Sequence, residues 1–252
     1  MTALSSLNTH PFVREVLDEG VKLLPNLDVD PHAIEIPDGV VLDEQQYYIQ
    51  KVGFFLAHSL TWYKQLDLAI EFLSNFDYSK NIGATRADHL IYNLENYLIR
   101  VNSAYDRVLQ LVNAVFHLCI SEENVGHAVV VSNYKVQHRP EIVSKIKAVK
   151  KFLADYAQAR HTLIHKHSWL DAKMRRLELF YMHDLDALSD DKEWKKRLRY
   201  VRSQYLRDFI SEKKDEFNQL NEALAVKVSD LFAELGGEYQ RQVRALGRVV
   251  EL

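Results

Sequence analysis

Three of the eleven histidines lie within seven residues, at His161, His165 and His167, and Arg160 directly precedes them. An imidazole titrates near neutral pH, whereas a guanidinium carries a permanent charge and a fork of donors that suits a phosphate. One histidine and one arginine are sufficient to cleave a phosphodiester bond by acid–base and electrostatic catalysis. This segment is the first candidate site of the sequence.

The spacing within the segment permits more than one chemistry. A helix turns about 100° per residue, so Arg160 and His165 lie about 140° apart around its axis. The long arginine can reach around the helix, and a second copy of the motif facing the first would make the site easier to build. His161 and His165 share a helical face and are an alternative metal site, to which His167 and Asp171 would add a pair. A further alternative is that the histidines only meet the dipole at a helix C-terminus.

The rest of the sequence predicts long helices that would position this segment. Four of the five prolines fall within the first 37 residues, the glycines number only eight, and strand-turn signals are nearly absent. We therefore predict an all-α fold, a bundle of long antiparallel helices. Its divisions are an N-terminal arm or cap at 1–42, a helical bundle at 43–187 and a C-terminal helical extension at 188–252.

Apolar periodicity and capping residues predict the individual helices. They span 13–24, 43 to about 74, 85–119, 140 to about 164, 172–183, and 190 or 191 to 232. Thr85 with Asp88 resembles a capping box, and Asp190 or Asp191 caps the last helix, which Gly236-Gly237 stops. The Val-rich stretch at 121–139 is predicted to be strand-like or a short buried turn, and Ala33–Ile36 a short strand.

The charge is unevenly distributed, although the net charge is only −3. Residues 139–207 contain 17 Lys and Arg against 9 Asp and Glu. Within them, the stretch from Asp191 to Arg207 interleaves Trp194, Tyr200 and Tyr205 with seven basic residues. This composition suits a partner with phosphates and bases, and equally a long solvated helix whose basic side chains cover apolar surface.

The motif in its helical context resembles a known family. The motif consists of Arg160, the polar His161, three further residues and His165, near the end of a long helix. It resembles the Arg-x4-His signature of the HEPN superfamily (higher eukaryotes and prokaryotes nucleotide-binding domains). The stretch IVSKIKAVKKFLADYAQA before it resembles the helix that carries that motif, and LENYLIRVNSAYDRVLQLVNAVFHL resembles the family's core helix. The resemblance covers about residues 43–185.

The resemblance implies a helical bundle that dimerises so that two motifs meet in a cleft, and in many members a metal-independent ribonuclease. His165 would be the catalytic histidine, Arg160 the phosphate-binding arginine and His161 the residue that orients them. His167 fits a longer spacing that the family allows, so either histidine remains a candidate. His167, Lys166 and Asn102 would contact the substrate, and an auxiliary polar residue would be one of Glu95, Arg100, Asn102 and Asp106.

The implied partners are RNA, a second copy of the chain, and an antitoxin or regulatory protein, in a bacterial defence or toxin–antitoxin setting. No cofactor and no resident metal are expected. Other members bind RNA or nucleotides without cutting, so a non-catalytic helical module that binds RNA, nucleotide or protein is the alternative.

Other classes lack their signatures. A single cysteine cannot form an intrachain disulfide or a Cys-based zinc finger, and no Gly-x-Gly-x-x-Gly, Walker or Gly-x-Ser-x-Gly motif is present. The N-terminus does not resemble a signal peptide, and no stretch approaches about 20 apolar residues. We therefore expect a cytoplasmic protein without membrane contact.

Overall fold

The regular elements are helical throughout the part of the chain that is described. The structure, a computed structural model, describes residues 2–23, 41–74, 83–165, 172–182 and 189–250; at 155, 157–165, 182 and 248–250 it describes only the backbone. The α-helices are α1 (Pro11–Leu23), α2 (Glu44–Phe72), α3 (Arg86–Val115), α4 (His127–Ser132), α5 (Tyr134–Gln137), α6 (Pro140–His165), α7 (Ala172–Met182) and α8 (Lys192–Val250). These residues contain no strand, and the predicted all-α fold class is confirmed. The predicted strand at Ala33–Ile36 lies outside the described residues.

Side-chain caps fix the starts of two long helices. At α3, the Asp88 carboxylate accepts a hydrogen bond from the Thr85 amide at 2.8 Å, and the Thr85 hydroxyl accepts one from the Asp88 amide at 3.1 Å. This reciprocal arrangement satisfies two amides that a helix start otherwise leaves unpaired. At α8, Asp191 Oδ1 accepts from the Glu193 and Trp194 amides, so Asp191 is the cap. Both capping predictions are confirmed.

The end of α3 lies four residues before the predicted one, at Val115 rather than Cys119. His117 and Cys119 both have positive φ angles, 47° and 57°, which a helix cannot contain. The Asn113 side chain holds the turn, since its Nδ2 donates to the Ile120 carbonyl at 2.9 Å and its Oδ1 accepts from the Ile120 amide.

The prediction that Gly236-Gly237 stops the last helix is wrong, because α8 continues through both glycines to Val250. Phe12 of α1 packs directly above Gly236, where an added Cβ would lie 3.5 Å from the Phe12 Cβ. Leu235 and Tyr239 are buried on either side of the pair. A glycine here lets α1 approach the helix closely, so tertiary packing rather than chain termination explains it.

The Val-rich stretch is also corrected, because it forms the short helices α4 and α5 rather than a strand or turn. Val130 and Val136 are buried while Val129 is exposed. The Asn133 side chain, between the two helices, accepts a hydrogen bond from the Lys135 amide and caps α5. Packing of single valines and this cap therefore override the β-propensity of the stretch.

The described residues divide into two compact units, and the predicted division at 42/43 and 187/188 remains a prediction. Unit 1 comprises Met1–Lys64, Ser103–Leu153 and Ala223–Leu252. In its core, Tyr48 stacks on Tyr239 with ring centroids 5.7 Å apart, and the Tyr48 hydroxyl donates to the Val115 carbonyl at the end of α3. Phe12 meets Phe232 edge to face at 5.5 Å. The core of unit 1 therefore contains residues from α1, α2, α3 and α8.

An ion cluster lies at the edge of this core. The Glu238 carboxylate accepts from Arg139 at 3.0 Å and from Arg241 at 2.7 Å. Burial raises the pKa of Glu238, but hydrogen bonds from Arg241, Gln242 and Arg139 outweigh it and hold the pKa below its usual value. Arg139 directly precedes Pro140, so the cluster ties the start of α6 to α8.

Unit 2 comprises Gln65–Asn102 and Ala154–Glu222. Its core contains a close stack of Tyr97 on Phe217, with centroids 3.7 Å apart. Met174, Leu177 and Leu206 are fully buried. The Tyr205 hydroxyl of α8 donates to the Lys173 carbonyl of α7 at 3.0 Å, so the two helices are in contact. None of the helices in the described ranges has a stretch apolar enough to cross a bilayer.

Candidate functional site

The helix that carries the motif is amphipathic for a clear reason. In α6, buried apolar side chains recur at spacings of four, three and four residues, at Ile142, Ile146, Val149 and Leu153. Residues between them are exposed, and Lys147 is one of these. This pattern fixes one face of α6 against the core and its opposite face toward solvent. The prediction that Pro140 opens this helix is confirmed.

The predicted catalytic residues occupy the C-terminal turns of α6. Arg160, His161 and His165 belong to this helix, where the backbone is described and their side chains are not. Lys166, His167 and Asp171 lie outside the described residues. The roles assigned to these side chains, and the choice between His165 and His167, therefore remain predictions.

The candidate auxiliary residues of α3 have different surroundings. In unit 2, Arg100 donates through Nε to Asn96 Oδ1 at 2.9 Å and through a second nitrogen to Gln65, so this guanidinium is held within the unit. Glu95 differs, because its Oε1 is buried and no described group hydrogen-bonds to it. Asn102 is half-buried in unit 2, and Asp106 is an exposed residue of unit 1.

Unit 2 also contains a buried polar network that the sequence did not indicate. The Tyr97 hydroxyl donates to Asn221 Oδ1 at 2.8 Å, and Asn221 Nδ2 donates to Asp67 Oδ1 at 3.0 Å. Burial, with smaller contributions from Tyr156, Glu216 and Asp67, raises the pKa of the Tyr97 phenol, so it stays a donor at neutral pH. The available signal was Asp67 itself, a carboxylate between the apolar Leu66 and Leu68.

The basic stretch forms one exposed face at the start of α8. A surface cavity of about 310 Å³ in unit 2 is lined by four of its cations, Lys192, Lys195, Lys196 and Arg199. Lys192 and Lys195, like Lys196 and Arg199, are three residues apart, and Lys192 and Lys196, like Lys195 and Arg199, are four apart, so the four side chains are neighbours on the helix. All the described residues that line this cavity therefore carry cationic side chains.

Unit 1 contains a wider surface cavity of about 830 Å³. Its walls include the exposed rings of Tyr47 and Phe54 as well as Lys51, Glu122 and the free thiol of Cys119. A cation and carboxylates line the same space, so the charge of the walls does not select a ligand of one sign.

The Tyr105 hydroxyl of unit 1 hydrogen-bonds to His127 Nδ1 at 2.5 Å. Burial raises the pKa of Tyr105, and burial together with Lys150 and Lys147 lowers the pKa of His127. Both groups are therefore neutral at pH 7. Within the described ranges, no group of three or more His, Cys, Asp or Glu side chains is arranged to hold a metal ion.

Comparison with known proteins identifies the family. Neither the curated proteins nor the solved structures contain a match to the chain. The family model HEPN_Cthe2314-like HEPN matches residues 54–235, which is well over half of the chain. The match includes α3, α6 and α7 and extends into α8, beyond the stretch over which the sequence resembles the family. The chain belongs to the HEPN_Cthe2314-like HEPN family.

Proposed function

We propose that the protein is a metal-independent endoribonuclease whose reacting groups lie at the C-terminal end of α6. The observation that carries the proposal is the position of the Arg160-to-His165 motif. It lies within the matched range 54–235 and at the end of a long amphipathic helix. No other segment of the sequence combines a histidine cluster with an adjacent arginine.

The reaction follows from the chemistry of the two side chains. His165 accepts the proton of a ribose 2′-hydroxyl, whose oxygen forms a bond to the adjacent phosphorus, and the bond from phosphorus to the 5′-oxygen breaks. Transfer of that proton from His165 to the 5′-oxygen, through water, completes a 5′-hydroxyl end and a 2′,3′-cyclic phosphate end and returns His165 to its neutral form. Arg160 stabilises the charge that develops on the phosphate oxygens, and His161 orients the pair.

We further propose that two copies of the chain combine to form the site. Arg160 and His165 diverge by about 140° around one helix, so a single helix does not present both side chains to the same side. A dimer in which the two motifs face each other would set Arg160 of one copy near His165 of the other.

Glu95 is the auxiliary residue that we favour in unit 2. A buried carboxylate oxygen without a partner costs free energy, about 1–3 kcal/mol or more for a charged group, and a role in holding the motif would account for that cost. Arg100 is less suited to this role because Asn96 and Gln65 engage it. We propose that Glu95 positions the motif, and that Glu95→Gln lowers kcat more than it raises KM.

The direct test is RNA cleavage by single variants in the presence of a chelator. Arg160→Ala and His165→Ala should each reduce cleavage at least about 100-fold, the range expected for loss of one acid–base or charge-stabilising group. Lys151→Ala is the matched control, since Lys151 is an exposed cation of the same helix. His167→Ala separates the two candidate histidines.

The outcomes are distinct. Activity that survives both Arg160→Ala and His165→Ala, or that requires added metal, overturns the proposal. RNA binding without cleavage of any RNA favours the alternative, a non-catalytic binding module. Loss of activity in His167→Ala with retention in His165→Ala assigns the catalytic role to His167.

Subunit mixing tests the composite site. Arg160→Ala and His165→Ala chains are inactive alone, but a heterodimer contains one site with both groups intact if the site is shared between copies. Recovery of cleavage on mixing, with a dimeric mass by light scattering, is the expected result. No recovery from a dimer that exchanges subunits would show that each chain builds its own site.

A further inference from the structure

The basic face at the start of α8 has no assigned role, and its three lysines form no ion pair with any described residue. Among the described residues, Lys192, Lys195 and Lys196 take part in no ion pair. Other lysines of the same unit do, since Lys173 pairs with Glu212 at 2.5 Å and Lys213 with Glu216 at 2.8 Å. The three lysines of the face therefore carry positive charge that no described carboxylate pairs with.

The carboxylates nearest in sequence, Asp190, Asp191 and Glu193, form no ion pair with these lysines. Asp191 directly precedes Lys192, but its Oδ1 accepts hydrogen bonds from the amides of Glu193 and Trp194. Its charge is therefore directed at the helix start rather than at the lysines.

An unoccupied aromatic ring lies beside the cations. Tyr200 follows Lys196 by four residues and is 67% exposed, and no described ring or cation packs on it. The other tyrosines near this part of α8 are occupied, because Arg202 lies 4.9 Å above the Tyr181 ring and Phe180 meets Tyr205 edge to face. Tyr200 is therefore available to a base, which stacks on any aromatic ring.

We propose that this face, Lys192, Lys195, Lys196, Arg199 and Tyr200, binds single-stranded RNA, with the four cations on successive phosphates and Tyr200 under a base. From Lys192 to Arg199 the face extends about 10 Å along the helix, at 1.5 Å per residue. The choice of RNA as the strand rests on the proposed ribonuclease function. The face would then hold substrate in unit 2, the unit that also contains Arg160 and His165.

Binding of a 2′-O-methyl RNA strand, measured by fluorescence anisotropy over a range of salt concentrations, tests the assignment. This probe lacks the 2′-hydroxyl nucleophile, so its binding does not depend on cleavage. Each phosphate contact contributes about 0.7 to the slope of log affinity against log salt for a single strand, so four contacts contribute about 3. The variant with Lys192→Gln, Lys195→Gln, Lys196→Gln and Arg199→Gln should lose about that slope and bind at least tenfold more weakly at low salt.

A control variant removes the same number of charges elsewhere. Arg14, Lys64, Lys151 and Arg244 are exposed, and changing all four to Gln gives the same net charge without touching the face. This control should change the slope by less than one. Equal losses in the two variants, or no loss in the first, overturn the proposal.

Tyr200→Ala tests the stacking contact. It should weaken binding about fivefold or more without changing the salt slope, whereas Tyr200→Phe keeps the wild-type affinity. Unchanged affinity in Tyr200→Ala removes the base contact from the assignment. Polyglutamate that competes as well as unlabelled RNA would indicate an acidic protein partner instead and overturn the RNA assignment.

The experiments distinguish failure of the ribonuclease function from failure of the binding face. Variant-sensitive binding of the uncleavable strand without cleavage of ordinary RNA overturns the ribonuclease function and keeps the binding face. Cleavage that depends on Arg160 and His165, with binding unaffected by the α8 variants, overturns the binding face alone.

Discussion

Substitution of Gly237 by alanine gives the sharpest test of the course of α8. In the structure this residue lies in the interior of the helix and is exposed, and the nearest atom to an added Cβ is an Arg241 nitrogen 4.0 Å away. Glycine in a helix interior is about 1 kcal/mol less favourable than alanine. Gly237→Ala should therefore raise the free energy of unfolding by about 1 kcal/mol, which for a chain of this length raises Tm by about 2–4 °C.

The sign of the change distinguishes the two descriptions of the helix. If Gly236-Gly237 ended the helix in a left-handed conformation, alanine would be strained there and would destabilise the protein by about 1–2 kcal/mol. Urea unfolding followed by circular dichroism measures the change directly. A fall in stability for Gly237→Ala would refute the continuous helix.

Leucine at the two glycines supplies a matched pair. Gly237→Leu places the side chain in solvent and keeps most of the gain in helix propensity. Gly236→Leu drives the side chain into Phe12, whose Cβ is only 3.5 Å from an added Cβ, and should cost about 1–3 kcal/mol through overpacking. Equal effects at both positions would contradict the packing of Phe12 on Gly236.

Two further predictions follow from the polar groups. Tyr97→Phe leaves Asn221 Oδ1 buried without its donor and should lower the free energy of unfolding by about 1–3 kcal/mol. Urea unfolding should then have a lower midpoint, and an unchanged midpoint would contradict the network. Burial lowers the pKa of His10 below 6.5, partly offset by a hydrogen bond with the Ser229 backbone. As pH falls through 6.5, the unfolded chain therefore takes up a proton that the folded state disfavours, and stability decreases. The Nδ1 atom of His10 accepts a hydrogen bond from the Phe12 amide at 3.2 Å, and asparagine can replace it as an acceptor. The His10→Asn variant should therefore lose less stability than the wild type between pH 7.5 and 5.5, and an identical pH dependence would refute this assignment.

Local signals predicted the helices well. The residues that start these helices interact with groups no more than three positions away in the sequence, as capping rules predict. They are Thr85, Asp88, Asp191 and Pro140, and the structure confirms each at the predicted helix start. The same rules were wrong at Gly236, because the residue that explains this glycine, Phe12, is more than 200 positions away in the chain. Local propensity therefore predicts where helices begin better than it predicts where they continue.

The candidate site also shows that sequence patterns do not predict contacts between residues far apart in the chain. A motif search found Arg160 and His165 because the two residues are close in sequence. It did not find the contact of Tyr97 with Asn221, which are 124 positions apart, or the isolation of Glu95 Oε1, which depends on which groups surround it. Periodicity describes Tyr97 as one more apolar residue of α3, and only the packed structure shows that its hydroxyl has a partner.

Cys119 has a practical consequence, since it is the single cysteine of the chain and is exposed. A maleimide dye or a nitroxide attached there labels each chain once, and no other cysteine has to be replaced first. The adjoining Ile120 is bound at both its amide and its carbonyl by Asn113, so the label has a well-defined attachment point. In the proposed dimer, the distance between the two labels, from energy transfer or pulsed electron resonance, would give the spacing of the two copies of unit 1.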